Sequence, residues 1–303
     1  MKQRIATAAV LIPLALLIVG STSPVPISIA AMALAAIGVY ELAGMFGEGR
    51  TVPLLTLGSL ALPFYSAFIA KSHQLAEFLL ISGLLFLIGV TLLGASAKSG
   101  KLSSSVLDVG GLWISMPMLA LIALHELHLA APGAGTRQAW QLESPALLAL
   151  VPVWAGDTAA IFVGKAIGRH PLSKVSPGKT VEGAIGNLIA AILTGWGIGA
   201  LVHVPTSIGF ACGVLAGIFG QCGDLFQSYL KRRAGVKDSG RLLPGHGGLL
   251  DRIDSVLFAA IPIAIIVYFG PGWLYRLHVG SPNPSTSKSI RVDKAVARIV
   301  GGG

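Results

Sequence analysis

Residues 228–255 read SYLKRRAGVKDSGRLLPGHGGLLDRIDS, and they stand between two apolar runs, near 207–228 and 252–275. Each run matches the roughly 20 residues that a helix needs to cross a bilayer. The stretch itself collects Lys231, Arg232, Arg233, Lys237 and Arg241, then Gly245, His246, Gly247 and Gly248, then Asp251, Arg252 and Asp254. An island of charge and glycine between two such runs is a loop joining two membrane helices. Its cations suit phosphate oxygens, and arginine can bind them bidentately. Its glycines let backbone approach a ligand and offer N–H groups to an anion. Asp251 and Asp254 are three apart, so on a helix they share a face. A carboxylate pair supplies hard oxygen ligands of the kind Mg²⁺ takes alongside substrate phosphates. Singly, each of these features has a plainer explanation. Basic loops report membrane topology, Asp251 can cap a helix, and Asp254 can sit in its first turn.

Outward from this loop the chain is greasy. Of 303 residues, 53% are hydrophobic and 12% charged, and the mean hydropathy is +0.77. Soluble domains carry roughly twice that share of charge. The fold class expected is all-α, a polytopic membrane bundle. About nine spans are expected, near residues 5–20, 25–46, 53–70, 76–97, 106–131, 146–168, 182–204, 207–228 and 252–275. The runs are too long for the alternating strands of a β-barrel. The formal charge of +9 comes without aromatic interleaving, so nucleic acid is excluded as a partner and anionic lipid or a polyphosphate is favoured. Cys212 and Cys222 lie in one apolar run and are expected to be reduced packing residues. Met-Lys-Gln-Arg before the first run resembles a signal peptide, but the run is expected to be a retained helix.

Loop charges set the orientation. With the amino terminus inside, Lys2, Arg4, Arg50, Lys98, Lys101 and the loops 165–180 and 229–250 all face the cytoplasm. The opposite loops hold only Lys71 and Arg137. The tail opposes this pattern, because nine spans place Arg276, Lys288, Arg291, Lys294 and Arg298 outside. Three regions are expected: 1–140, scaffold helices and lipid access; 141–280, the catalytic region; 281–303, a polar, poorly ordered tail.

In the first half Glu41 is the one carboxylate well inside a span. It lies near the cytoplasmic end, where it is expected simply to reach water. His125, Glu126 and His128 mark the end of the fifth span, and an interfacial role is favoured over metal ligation. The second half is richer. Asp157 lies within the sixth span among small residues, and an unpaired carboxylate there costs a few kcal/mol. The loop after it carries Lys165, Arg169, Ser176, Lys179 and Thr180, and Glu182 opens the next span. Gly178-Lys179-Thr180 is like the end of a P-loop, but Ser173 stands at the position of the required glycine and no strand precedes it. Asp224 closes the eighth span, between Gly223 and the basic loop.

The pattern Ser228, Lys231-Arg232, Lys237-Asp238, Pro244-Gly245-His246-Gly247-Gly248, Asp251-Arg252 and Asp254 resembles the C-terminal signature of the phosphatidate cytidylyltransferase (CDP-diglyceride synthase) family. The segment Asp157-Thr158 through Ser176-Pro177, Lys179-Thr180 and Glu182-Gly183 is similar to the same family. Phe162, Lys165 and Gly178 depart from it without touching a carboxylate. The resemblance covers roughly residues 150–275. It implies nucleotidyl transfer from CTP to phosphatidate, giving CDP-diacylglycerol and pyrophosphate in phospholipid biosynthesis. It also implies a bacterial inner membrane and a cytoplasmic active site. Asp224 and Asp251 are the implied ligands of Mg²⁺, with scope for a second cation. Asp224, Asp251, Lys237 and Asp254 form the implied catalytic set. Ser176, Lys179, Thr180, Glu182, Lys231, Arg232, Arg241, His246, Arg252 and Asp157 are the expected substrate contacts. Membrane lipid surrounds such a protein, and a homodimer is compatible with it. Two other readings stay open. One is a CTP-using lipid kinase, which needs a base beside a lipid hydroxyl. The other is a transporter, which spreads polar residues along several spans near the midplane.

Overall fold

The computed structural model describes residues 2–47, 75–99, 110–130, 141–242 and 247–270. They form a bundle of eight α-helices. These are α1 (Lys2–Val19), α2 (Pro24–Met45), α3 (Leu75–Ser96), α4 (Leu112–Ala130), α5 (Leu147–Ile167), α6 (Val181–Leu201), α7 (Thr206–Arg233) and α8 (Leu250–Phe269). A short 3₁₀ turn, Ala97–Ser99, extends α3. Six helices, α2, α3 and α5–α8, are long and apolar enough to cross a membrane, and Leu112–Leu127 is a shorter apolar helix. The expected span at 53–70 lies outside the described residues, as do the tail and the end of the last expected span. Nine crossings are therefore not counted among the described residues, though a helical integral membrane protein is.

The architecture follows from two kinds of residue. Beyond its first two turns, which carry Asp251, Arg252 and Asp254, helix α8 is apolar on every side, and such a helix belongs in a core. It packs against α2, α3, α4, α5 and α7. Phe258 of α8 joins Phe86, Trp113 and Phe226, with ring centroids 5.1 Å apart for Phe86–Phe258 and 5.5 Å for Phe226–Phe258. These rings fix how α7 and α8 face each other. Helices α6 and α7 meet through glycine instead. A Cβ on Gly195 would lie 2.6 Å from Gly213 Cα, and one on Gly199 would lie 2.8 Å from Gly209 Cα. Small residues four apart let membrane helices approach closely, because lipid offers no hydrophobic drive to hold them together. Further along α7, a Cβ on Gly223 would run into the Asp254 carbonyl oxygen of α8. Gly223 is thus a helix-packing residue, and it brings Asp224 alongside Asp254.

Candidate active site

Helix α5 ends at Ile167, and the chain turns back before α6. The turn is tied by an antiparallel bridge between Pro171 and Thr180, by Leu172 N–H to Lys179 O (2.8 Å) and by Val181 N–H to His170 O (2.9 Å). Thr180 is the N-cap of α6, and its Oγ1 accepts Gly183 N–H at 3.1 Å. Glu182 accepts the N–H groups of Arg169 (3.1 Å) and His170 (3.3 Å), and its Oε1 lies 2.6 Å from His170 Nδ1. Thr180 and Glu182 therefore shape the turn. Ser176 accepts Lys179 N–H through its carbonyl, and Lys179 reaches across to form an ion pair with Asp224 of α7.

Two more carboxylates converge there. Asp157 of α5 accepts Asn187 Nδ2 at 3.2 Å. Asn187 Oδ1 in turn accepts Gln221 Nε2 at 3.3 Å. Asp254 of α8 is buried and accepts Ser255 N–H at 2.8 Å. The charges of Asp157, Asp224 and Lys179 all act on Asp254. Four helices and one tied turn thus bring three carboxylates and one lysine near one another, with Asp254 buried and the Lys179–Asp224 pair about one third exposed.

Asp251 belongs to a different group. Helix α7 runs past Ser228 to Arg233, so Lys231, Arg232 and Arg233 lie on its last turn rather than in a loop. There they complement the negative end of the helix dipole. The helix stops at Gly235 (φ +72°). Gly235 N–H bonds Arg232 O, and Val236 N–H bonds Lys231 O at 2.9 Å, the pairing of a Schellman motif. Lys231 Nζ lies 2.7 Å from Asp251 Oδ1. Asp251 Oδ2 accepts Ser239 N–H (2.9 Å) and Gly248 N–H (3.3 Å). Both oxygens of Asp251 are engaged. Arg232, Lys237, Arg241 and Arg252 are exposed around this group. His246 lies outside the described residues. Among the described glycines of this loop, Gly248 gives its N–H to one of the protein's own carboxylates, that of Asp251.

A model of the cytidylyltransferase family matches residues 2–269 of the chain. The phosphatidate cytidylyltransferase of Staphylococcus saprophyticus is 32% identical over 235 residues, 68% of this chain and 90% of that protein. The chain belongs to the cytidylyltransferase family. The phosphatidate cytidylyltransferases of Helicobacter pylori strain J99 and Synechocystis are 46% and 45% identical over 130 and 127 residues. Each match covers 41% of this chain, and 47% and 42% of the two relatives, so the chain spans about half their length.

For a cytidylyltransferase the arrangement has a clear chemical content. Counted as ionised, Asp157, Asp224 and Asp254 face one lysine and leave an excess of negative charge, which is donor chemistry for a hard cation. Among the described residues no three His, Cys, Asp or Glu side chains stand close enough to share one ion. Asn187, Gln221, Ser239 and Ser255 are partners that the sequence reading did not single out. Asn187 and Gln221 carried a usable signal, being side-chain amides within membrane-length apolar runs. Glu41 is buried, contrary to the expectation that it reaches water. His125 is also buried, with Nδ1 3.0 Å from Ser144 Oγ. Cys212 packs in the core as expected, whereas Cys222 is exposed.

Proposed function

We propose that this cytidylyltransferase joins CTP to phosphatidate. An oxygen of the phosphatidate phosphate attacks the α-phosphorus of CTP. The bond from that phosphorus to the oxygen bridging to the β-phosphate breaks, and pyrophosphate leaves with the electron pair. The acceptor is already an anion, so no strong base or covalent nucleophile is needed. Catalysis is then positioning and electrostatics. The observation that carries this reading is the Lys179–Asp224 pair, flanked by Asp157 and Asp254 at the end of the bundle where the exposed cations lie.

Lys179 and Ser176, on the tied turn, hold the lipid phosphate. Arg232, Lys237, Arg241 and Arg252 hold the triphosphate, and His246 is a further phosphate donor. Lys231 turns from Asp251 to a phosphate when CTP arrives, which frees Asp251 Oδ1. Asp224 would hold Mg²⁺, with Asp251 as partner once Lys231 has left it and Asp254 as a neighbouring charge. The bound ion would neutralise charge on phosphate oxygens. A second cation would meet the remaining carboxylate charge. The loops carrying these cations face the cytoplasm of a bacterial inner membrane, where the nucleotide is found, and the chain works alone or as a homodimer.

The test is CTP-dependent pyrophosphate release in detergent–phosphatidate micelles, with wild type and Asp224→Asn. Turnover that requires phosphatidate and Mg²⁺, and collapses in the variant, supports the reaction. CTP consumption only with a lipid alcohol would replace it with lipid phosphorylation. A folded protein with no turnover on any lipid would end the enzymatic reading.

A further inference from the structure

Glu41 lies near the end of α2, about 200 residues before the basic loop, yet its carboxylate is filled by that loop. Oε1 accepts Leu249 N–H at 2.9 Å. Oε2 accepts Leu250 N–H at 2.8 Å and the Ser239 hydroxyl at 2.9 Å. The side chain is 5% exposed, and among the described residues no ion pair involves it. A buried carboxylate without a cation is costly unless hydrogen bonds and dipoles replace the lost water. Here they do. Leu249 is the N-cap of α8 and supplies no capping side chain, so two orphan N–H groups point at Glu41 with the positive end of the helix dipole behind them.

The loop is also shaped around this carboxylate. A Cβ on Gly240 would collide with Glu41 Oε1. One on Gly248 would stand 2.5 Å from Glu41 Oε2 and 2.6 Å from Gly240 N. Glycine at 240 and 248 thus makes room for Glu41 rather than for a phosphate. Ser239 links the two carboxylate groups, giving its hydroxyl to Glu41 and its N–H to Asp251.

We propose that Glu41 is a positioning residue. It fixes the first turn of α8 and the segment 237–242, and so sets where Asp251, Lys231 and Asp254 stand. Its catalytic consequence rests on the cytidylyl-transfer reading above. Glutamine at 41 keeps one acceptor and turns an amide N–H₂ toward a backbone donor. Aspartate keeps the charge but falls one methylene short.

The experiment uses the full chain in detergent, as wild type, Glu41→Gln and Glu41→Asp. One readout is trypsin cleavage after Lys237 and Arg241, relative to cleavage after Lys174 in the α5–α6 turn. The other is kcat and KM for CTP and for phosphatidate. In Glu41→Gln, cleavage at Lys237 and Arg241 should speed up by roughly fivefold or more while Lys174 is unchanged. The kcat/KM for CTP should fall by roughly tenfold or more, with the KM for phosphatidate held within about twofold. Glu41→Asp should fall between. An unchanged cleavage pattern overturns the proposal. So does a loosened loop with wild-type CTP kinetics, or a general rise in cleavage that includes Lys174 with both KM values shifted. Should Glu41→Gln fail to accumulate, Ser239→Ala, which removes one of the three bonds, is read in the same way. A wild type without CTP turnover refutes the reaction itself, and the cleavage pattern alone then decides whether Glu41 holds the loop.

Discussion

The Lys231–Asp251 pair offers a stability prediction that the geometry sets in size. The two side chains are 13% and 4% exposed, and their charged atoms are 2.7 Å apart. Removing one partner of a buried pair costs about 3–5 kcal/mol, chiefly because the other charge is left without compensation. Asp251 Oδ2 keeps its two backbone donors whatever happens at Lys231. Lys231→Met should therefore fall at the low end, about 3 kcal/mol. Asp251→Asn keeps an acceptor for those donors but sets an amide against the ammonium, and about 2 kcal/mol is expected. The double variant should lose less than the sum, with a coupling of about 1.5 kcal/mol or more. The assay is reversible unfolding in mixed micelles for all four proteins of the cycle, at constant detergent. A coupling below about 0.5 kcal/mol, the usual limit of additivity, would refute a formed buried pair. The same cycle read by activity tests whether Lys231 leaves Asp251: Lys231→Met should raise KM for CTP more than it lowers kcat.

Three further outcomes follow from the geometry. Lys179→Ala should lower kcat/KM for phosphatidate by roughly a hundredfold, because the pair beside Asp224 is lost, and Lys179→Arg should recover part of it; steady-state kinetics with varied lipid checks this. Thr180→Ala should cost about 1 kcal/mol of stability through its cap on α6 and leave KM for CTP little changed, as unfolding and kinetics would show together. Gly213→Leu should prevent α6 and α7 from closing, since a Cβ there would lie 2.5 Å from Ala191 O, and the variant should fail to give a monodisperse protein in detergent although Gly197→Leu, which meets nothing within 4 Å, succeeds.

Composition and apolar run length were enough to read a helical membrane protein, because a bilayer admits only segments that satisfy their own backbone hydrogen bonds. The helices at Leu147–Ile167, Val181–Leu201, Thr206–Arg233 and Leu250–Phe269 sit close to the runs from which they were expected. The order of the charged residues was enough to point to the family. What the sequence could not assign was which carboxylate meets which cation. Asp251 and Asp254, three residues apart on one helix, belong to separate groups because α7 runs five residues beyond Ser228 and carries Lys231 to Asp251, while Gly223 draws Asp254 against Asp224. Nor could it show that Glu41 is buried. A carboxylate near a helix end reaches water or not according to what folds over it, and here the chain some 200 residues later does so. Local pattern determines where an apolar helix forms. Only the packing of helices distant in sequence decides which buried charges share a hydrogen bond, because that depends on distances the intervening chain does not record.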